Sequence, residues 1–510
     1  MLRRHRPDRS CAAFRTRPRD FRAGLRLFSR LGAPAALVVA AVATFGCAPG
    51  AEPPREVAAD YVGGPRDAAA DDVFLDTLQR RTFQWFIDHT NPDNGLTRDR
   101  APTPSFASVA AVGFALTAFP IGVERGWMDR SDARDLVRTT LRFLWGAPQG
   151  PDPSGVAGHR GFFYHFLDMD TGHRFQRVEL STIDTALLLA GVLFCQQYFD
   201  GDDAAEAEIR SLADSIYHRV EWDWAQPRPP RVSMGWHPET GFIRADWRGY
   251  NEAMLLYVLA LASPTHPIDP AAWEAWTSTY RWGTFHGEPH VGFGPLFGHQ
   301  YSHVWIDFRG IQDAYMRDRG IDYFENSRRA LHSQRNYAIE NPAGWRGYGP
   351  DLWGLTASDG PLDTTLVVHG VERRFHTYWA RGASFTELTD DGTLVPTALG
   401  GSIPFDPGIT IPALREMRDR YGEHLFGEYG FLDAFNPTLT EPMETQHGRV
   451  VPGVGWFDDD YLGIDQGPIV AMIENHRSEL VWRLMRRSPY IIEGLRRAGF
   501  SGGWLESADE

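Results

Sequence analysis

Two kinds of apolar pattern alternate along the chain. Residues 106–119 (FASVAAVGFALTAF), 183–194 (IDTALLLAGVLF), 253–262 (AMLLYVLALA) and 468–473 (PIVAMI) are apolar nearly all round and rich in small residues. Residues 130–143, 203–220 and 323–337 instead carry charge on one face and apolar groups on the other. A helix without a polar face has to be buried, and an amphipathic helix is what covers it. The periodicity predicts helices near 71–90, 106–119, 131–146, 182–199, 203–220, 251–262, 271–281, 303–317, 320–340, 408–421, 423–433, 467–484 and 488–498. Alternating buried and covering helices, six of each, predict an all-α fold of the (α/α)6 barrel (toroid) type, and no fixed-period repeat marks a solenoid. Residues 341–405 are richer in β-branched residues (Thr364-Thr365-Leu366-Val367-Val368), which predicts a small β or loop insertion.

Residues 1–50 break this pattern. Ten Arg stand there against Asp8 and Asp20, followed by an apolar run over 33–45 and then Gly46-Cys47. A basic region, a short apolar run and a small residue before the break are the features of an export signal. The run is too short to span a bilayer as a mature helix. Thr44-Phe45-Gly46-Cys47 resembles a lipobox, whose cysteine becomes the lipidated N-terminus, although a larger aliphatic residue is usual where Thr44 stands. The expected organisation is a signal peptide over 1–46, a tether over 47–70 anchored through Cys47, and one folded domain over 71–500. The expected location is periplasmic or outer-membrane-anchored, with membrane contact only through the lipid.

Composition narrows the chemistry. All 51 basic residues are Arg, which excludes a P-loop lysine or a Schiff-base lysine. Beyond residue 50, 41 Arg face 64 Asp and Glu, a formal charge of −23, so neither nucleic acid nor an anionic membrane is an expected partner. Cys195 lies in an apolar run and reads as a core thiol, and there is no disulfide framework. No cofactor is expected, and the chain is expected to be a monomer.

Polar and aromatic residues gather where the apolar helices begin: Ser105-Phe106, Glu179 to Asp184, Tyr250-Asn251-Glu252, His299 to His303, Phe405-Asp406-Pro407, and Asp458-Asp459-Asp460 through Asp465-Gln466. In a barrel these helix starts would converge on one acidic mouth. N-capping alone accounts for Ser181, Asn251 or Asp465 taken singly. It accounts less well for the Trp in the intervening loops (Trp222, Trp224, Trp236, Trp247, Trp305, Trp353 and Trp456). Aromatic faces stack on sugar rings while carboxylates and amides bind sugar hydroxyls, so acid plus aromatic in a cleft points to carbohydrate.

Glycoside hydrolysis needs one protonated carboxyl and one carboxylate. Glu252 opens an otherwise apolar helix, where burial raises a carboxyl pKa, and is the expected acid. Asp184 and Asp465 are alternatives for the base. Glu179, Tyr250, Asn251, Gln300, His303, Trp305, Asp307, Trp456, Asp459 and Gln466 belong to the same clusters and are the expected substrate-binding residues. His286, His290, His299 and His303 include metal-like spacings, but they flank a Gly/Pro-rich loop and no HExxH motif is present. Asp458-Asp459-Asp460 lacks the alternation of an EF-hand, so no metal is expected.

The segments ELSTIDTALLLAG (179–191), YNEAMLLYVLALASPTHP (250–267), FGHQYSHVWIDFRGIQD (297–313) and WFDDDYLGIDQGPIVAMIEN (456–475) resemble the bacterial glucoamylase-like (glycoamylase-like) family. That family includes the endo-β-1,2-glucanases of glycoside hydrolase family 144. The resemblance runs over about residues 75–500. It implies an (α/α)6 barrel, an exported protein, and hydrolysis of β-1,2-glucan to sophoro-oligosaccharides with inversion. It places the motif carboxylates on Glu252, Asp184 and Asp465. A glycan-binding lipoprotein serving an uptake system, or a glucosidase or transglycosylase of other linkage, is the alternative reading. A lyase of the same fold would want basic groups against an acidic substrate, against the charge balance.

Overall fold

The computed structural model describes residues 68–507; the expected leader, Cys47 and the tether up to residue 67 lie outside the described residues. The helices are α1 (Ala68–His89), α2 (Val109–Glu124), α3 (Arg130–Gly146), α4 (Thr182–Tyr198), α5 (Ala204–His218), α6 (Met254–Ala262), α7 (Ala271–Thr277), α8 (Tyr301–Trp305), α9 (Ala314–Arg319), α10 (Tyr323–Glu340), α11 (Thr397–Gly400), α12 (Pro407–Tyr421), α13 (Gly463–Ser478), α14 (Leu480–Met485) and α15 (Pro489–Arg497). Among the described residues, no helix is long and apolar enough to cross a membrane.

The helices without a polar face form the core. α2, α4 and α6 are buried almost throughout, as are the first three turns of α13. α2 and α4 meet backbone to backbone: a β-carbon at Gly113 would strike the Leu187 carbonyl, and one at Gly191 would strike the Gly113 carbonyl. Buried polar groups tie the next neighbours. Ser302 Oγ, in α8, accepts from the Leu255 amide at 3.0 Å and donates to the Glu252 carbonyl at 3.0 Å, joining α8 to α6. Gln300 donates to the Ala398 carbonyl at 2.8 Å, and Thr397 to the Asp465 carbonyl at 2.9 Å, so α8, α11 and α13 follow in turn. α13 returns to α2, where Gly467 leaves room for Phe114. Outside them, α3 packs on α5, α15 on α6 and α1 on α13.

Three helix expectations fail for local reasons. The run over 303–317 is two short helices, because the chain leaves the helix after Trp305, turns at Gly310 (φ 74°) and is recapped by Asp313. The run over 423–433 is a hairpin pairing Phe426 with Phe431, turned at Gly430 (φ 94°), a conformation that favours glycine. The run over 467–484 breaks at Glu479 (φ 56°). β-structure is also more dispersed than a single insertion. The hairpin Thr364–Val368 with Val371–Phe375 lies in the expected segment, but short strand pairs also occur over 235–242, 282–291 and 449–457. Cys195 is a buried core thiol with Sγ 3.0 Å from the Leu116 carbonyl.

Candidate active site

Where α4 begins, Ser181 is both cap and anchor. Its Oγ accepts from the Asp184 amide at 3.2 Å and donates to Asp184 Oδ2. Leu180–Ser181 is held as a strand against Gly235–His237, which fixes the approach to the helix. His165 lies across from this start, with Nδ1 2.8 Å from Glu179 Oε1 and Nε2 3.6 Å from Asp184 Oδ2. Burial alone would lower the imidazole pKa, but the charges of Asp184 and Glu179 outweigh it and push it up to about 10. Burial works against Glu179 ionising, yet His165 holds it down at about 2.

Glu252 precedes α6. Its Oε2 is buried and has no hydrogen-bond partner. Burial pushes the carboxyl up to about 7, and the Asp184 charge adds to the rise. At the start of α8, the Tyr301 hydroxyl is raised by burial and then by the charges of Asp465, Glu252 and Asp184, with the Tyr378 hydroxyl adding to them. The charges of all three carboxyls singled out in the sequence therefore act on one buried phenol.

The α13 side is more acidic. The Asp359 amide donates to Asp433 Oδ2 at 2.7 Å, and the Asp459 amide to Asp458 Oδ1 at 2.8 Å. Arg100 pairs with Asp359, with Asp99 at 3.1 Å and with Asp460 at 3.8 Å. Burial pushes Asp433, Asp458 and Asp465 upward, and their mutual charges push Asp433 and Asp458 further. Tyr378 is 42% exposed at its surface, and burial of its hydroxyl together with the charges of Asp465, Asp433, Asp359 and Asp99 raises that hydroxyl.

The remaining expected substrate-binding residues divide. Glu179 is in the site, and Asp459 stands at its edge, paired with Arg449. Gln466 lies buried behind Asp465, donating to the Phe431 carbonyl at 3.1 Å, and Trp456 is buried with Nε1 on the His447 carbonyl at 2.8 Å. The others lie in the core or at distant structural contacts. Tyr250 packs among Tyr280, His299 and Tyr323. Asn251 caps its own turn through the Ala253 amide at 3.1 Å. Gln300 is spent on Ala398 and Ser402. His303 is buried against Ser327 and Phe405, with its pKa down at about 3. Trp305 donates to Thr117 at 3.0 Å, and Asp307, beyond the C-terminal end of α8, pairs with Arg309 and Arg486. Asp406 caps α12 and pairs with His332, away from the acidic group. Of the loop tryptophans, Trp222, Trp353 and Trp247 are buried; Trp236 and Trp224 are partly exposed, with Trp236 stacked on His159 at 5.0 Å.

Sequence reasoning passed over Asp99, Arg100, His165, Asp359, Tyr378 and Asp433. Apart from the adjacent Asp99 and Arg100, each comes from a different loop, so no spacing links them; only the aromatic setting of His165 in FFYHF offered a local signal. Phe106, Phe166 and Phe175 extend that setting into a half-buried aromatic wall beside the imidazole, with ring centroids at 4.2 and 4.6 Å from Phe106. Protonated and ionised carboxyls beside partly exposed rings can hold a sugar and move a proton.

Residues 244–489 match the model of the Glycoamylase family, described as "Putative glucoamylase". The exo β-1,2-glucooligosaccharide sophorohydrolase (non-reducing end) of Parabacteroides distasonis is 30% identical over 461 residues, covering 84% of this chain and 58% of that enzyme. The chain thus spans little more than half the length of that curated relative. A Bacteroides fragilis crystal structure bearing the family's description is 31% identical with a TM-score of 0.72, over 86% of this chain and 100% of that one. The endo-β-1,2-glucanase of Chitinophaga pinensis, solved with sophorotriose and glucose, is 27% identical with a TM-score of 0.72, over 85% and 99% of the two chains.

Proposed function

Because this chain belongs to the Glycoamylase family, we propose that it is a glycoside hydrolase that cleaves β-1,2-linked glucan to sophoro-oligosaccharides with inversion. The observation that carries this reading is that Glu252, Asp184 and Asp465 all act on the buried Tyr301 hydroxyl, with Glu252 holding an unpartnered buried oxygen. Glu252, kept protonated toward neutral pH by burial and by Asp184, donates from its unpartnered Oε2 to the glycosidic oxygen. Asp184, held by Ser181 and His165, keeps that proton in place. Asp465 takes the proton of the water that attacks the anomeric carbon from the other face. Asp184 is the carboxylate whose charge acts on Glu252, so Asp465 is assigned the part of the base. An inverting pair stands roughly 6.5–9.5 Å apart.

Incubation with linear β-1,2-glucan, β-1,3-glucan and α-1,4-glucan tests the reading. Sophoro-oligosaccharides are expected from the first alone, with the α-anomer formed first in the proton NMR spectrum. A β-anomer overturns inversion, and no product from β-1,2-glucan overturns the activity.

The order α2, α4, α6, α8, α11 and α13, each tied to the next and the last returning to the first, supports the (α/α)6 toroid as the finer description of the fold. We also assign residues 1–46 as a signal peptide, Cys47 as a lipidated N-terminus, and residues 71–500 as the catalytic domain of a monomeric, surface- or periplasm-facing lipoprotein. Cys47→Ala is expected to release the protein from the membrane fraction.

A further inference from the structure

We propose that Asp359, Asp433 and Asp458 form a site for a divalent, oxygen-seeking cation, best matched by Ca2+, on the acidic side of the candidate active site. The inference goes beyond the glycosidase reading and stands independently of it. One oxygen from each carboxylate lies within 4.8 Å of one from each of the other two. Around Ca2+, with oxygens at about 2.3–2.6 Å, ligands on opposite sides of the ion stand about twice that distance apart and adjacent ones closer. The triad therefore fits within one coordination sphere.

A second observation points to a ligand. Each carboxylate has one oxygen engaged by a donor or by Arg100, and Asp433 also lies within hydrogen-bond reach of the Asp465 carboxyl. Asp433 Oδ2 accepts from the Asp359 amide, Asp458 Oδ1 from the Asp459 amide, and Asp359 Oδ2 pairs with Arg100. Asp359 Oδ1, Asp433 Oδ1 and Asp458 Oδ2 are buried with no hydrogen-bond partner, on residues only 1%, 2% and 1% exposed. Buried carboxylate oxygens are ordinarily paired with donors or bound to metal, because an unmatched buried charge is costly.

The charge balance agrees. Asp99, Asp460 and Asp465 join the triad as buried carboxylates, and the basic groups in contact are the Arg100 guanidinium and, 3.7 Å from Asp359, the His447 imidazole. Arg100 reaches Asp359, Asp99 and Asp460 but forms no ion pair with Asp433 or Asp458. A doubly charged ion supplies what that side lacks. Its ligands come from loops 74 and 25 residues apart in the chain, from 359 to 433 and from 433 to 458, so the ion would staple three loops together, unlike the contiguous loop of an EF-hand.

The test is Ca2+ titration of the EDTA-stripped full chain by calorimetry and by thermal denaturation, without glucan. One site is expected, with a Tm that climbs with the logarithm of Ca2+ concentration once the site is saturated. Asp458→Asn and Asp433→Asn are each expected to weaken binding by about tenfold or more, while Asp459→Asn changes it by less than about twofold. If an Asn variant does not fold, Tb3+ luminescence on the unaltered chain, quenched by competing Ca2+, gives the same decision. The proposal is overturned by no heat and no Tm change up to about 10 mM Ca2+, above the range of weak extracellular sites. It is equally overturned by binding that Asp458→Asn leaves intact, or by variants that raise KM for glucan while Ca2+ has no effect, which would give the triad to the sugar.

Discussion

On the α4 side of the site, His165 stands between Glu179 at 2.8 Å and Asp184 at 3.6 Å, and Ser181 supplies a further donor. On the α13 side, Asp359, Asp433, Asp458, Asp460 and Asp465 share little more than Arg100. The first side sets one imidazolium between two carboxylates, adds a hydroxyl donor, and is pre-organised. The second keeps a surplus, and a surplus of buried negative charge is resolved by a proton, by an ion or by a ligand with many donors, such as a sugar. Glu252 and Tyr301 sit where the two sides meet.

The sharpest way to break this comparison is Glu252→Gln. It is expected to lower kcat by about 10³-fold while the fold survives. The folded-state pKa of Glu252 is raised, so the stability linked to its neutral form is present at low pH and lost as pH rises through about 7. Glutamine never charges, so at pH 8 the variant should be more stable than the parent by about 1–3 kcal/mol in urea unfolding. In the parent, kcat/KM should peak near pH 7, falling above it as Glu252 ionises and below it as Asp465, pushed up to about 7 by burial, takes a proton.

Asp465→Asn comes next, with a loss of about 10²–10³-fold in kcat that added azide partly restores. Azide rescue of Asp184→Asn instead would move the base to the α4 side. Third, His165→Gln should cost about 1–3 kcal/mol, because it leaves two carboxylates facing each other. The raised pKa of His165 means its contribution is complete below about 6.5 and lost as pH rises through about 10, so the gap to the parent should close in unfolding curves above that pH. The smallest effect is expected from Tyr378→Ala: KM several-fold higher with kcat within about twofold, because the ring lies near the acidic side without being needed for proton transfer.

Much of the helical framework was legible because burial leaves a plain mark: a helix with no polar face can only be inside. α2 and α4 follow the apolar runs closely. The hairpin at 426–431 was missed because aromatic spacing looked helical, while glycines at 427 and 430 decided the backbone. Glu252, Asp184 and Asp465, the carboxyls proposed to carry the reaction, were legible as candidates for the same reason as the framework, since an acid at the head of an apolar helix stands out. The motif FGHQYSHVWIDF was misleading: α8 is only five residues long, so Gln300, His303 and Trp305 turn into the core while Tyr301 alone reaches the site. Asp359, Asp433 and Tyr378 come from loops far apart in the chain, and only folding makes them neighbours.

The reciprocal fit of Gly113 and Gly191 has a consequence for how such a protein diverges. Two rods welded near the start of α2 and the middle of α4 hold their ends at a set spacing, so the residues leading into α2 and α4 form a gauge that loop changes do not disturb. New specificities can be grown in the hairpins above, whereas a single methyl group at that weld would spread the rods and misalign everything mounted on their tips.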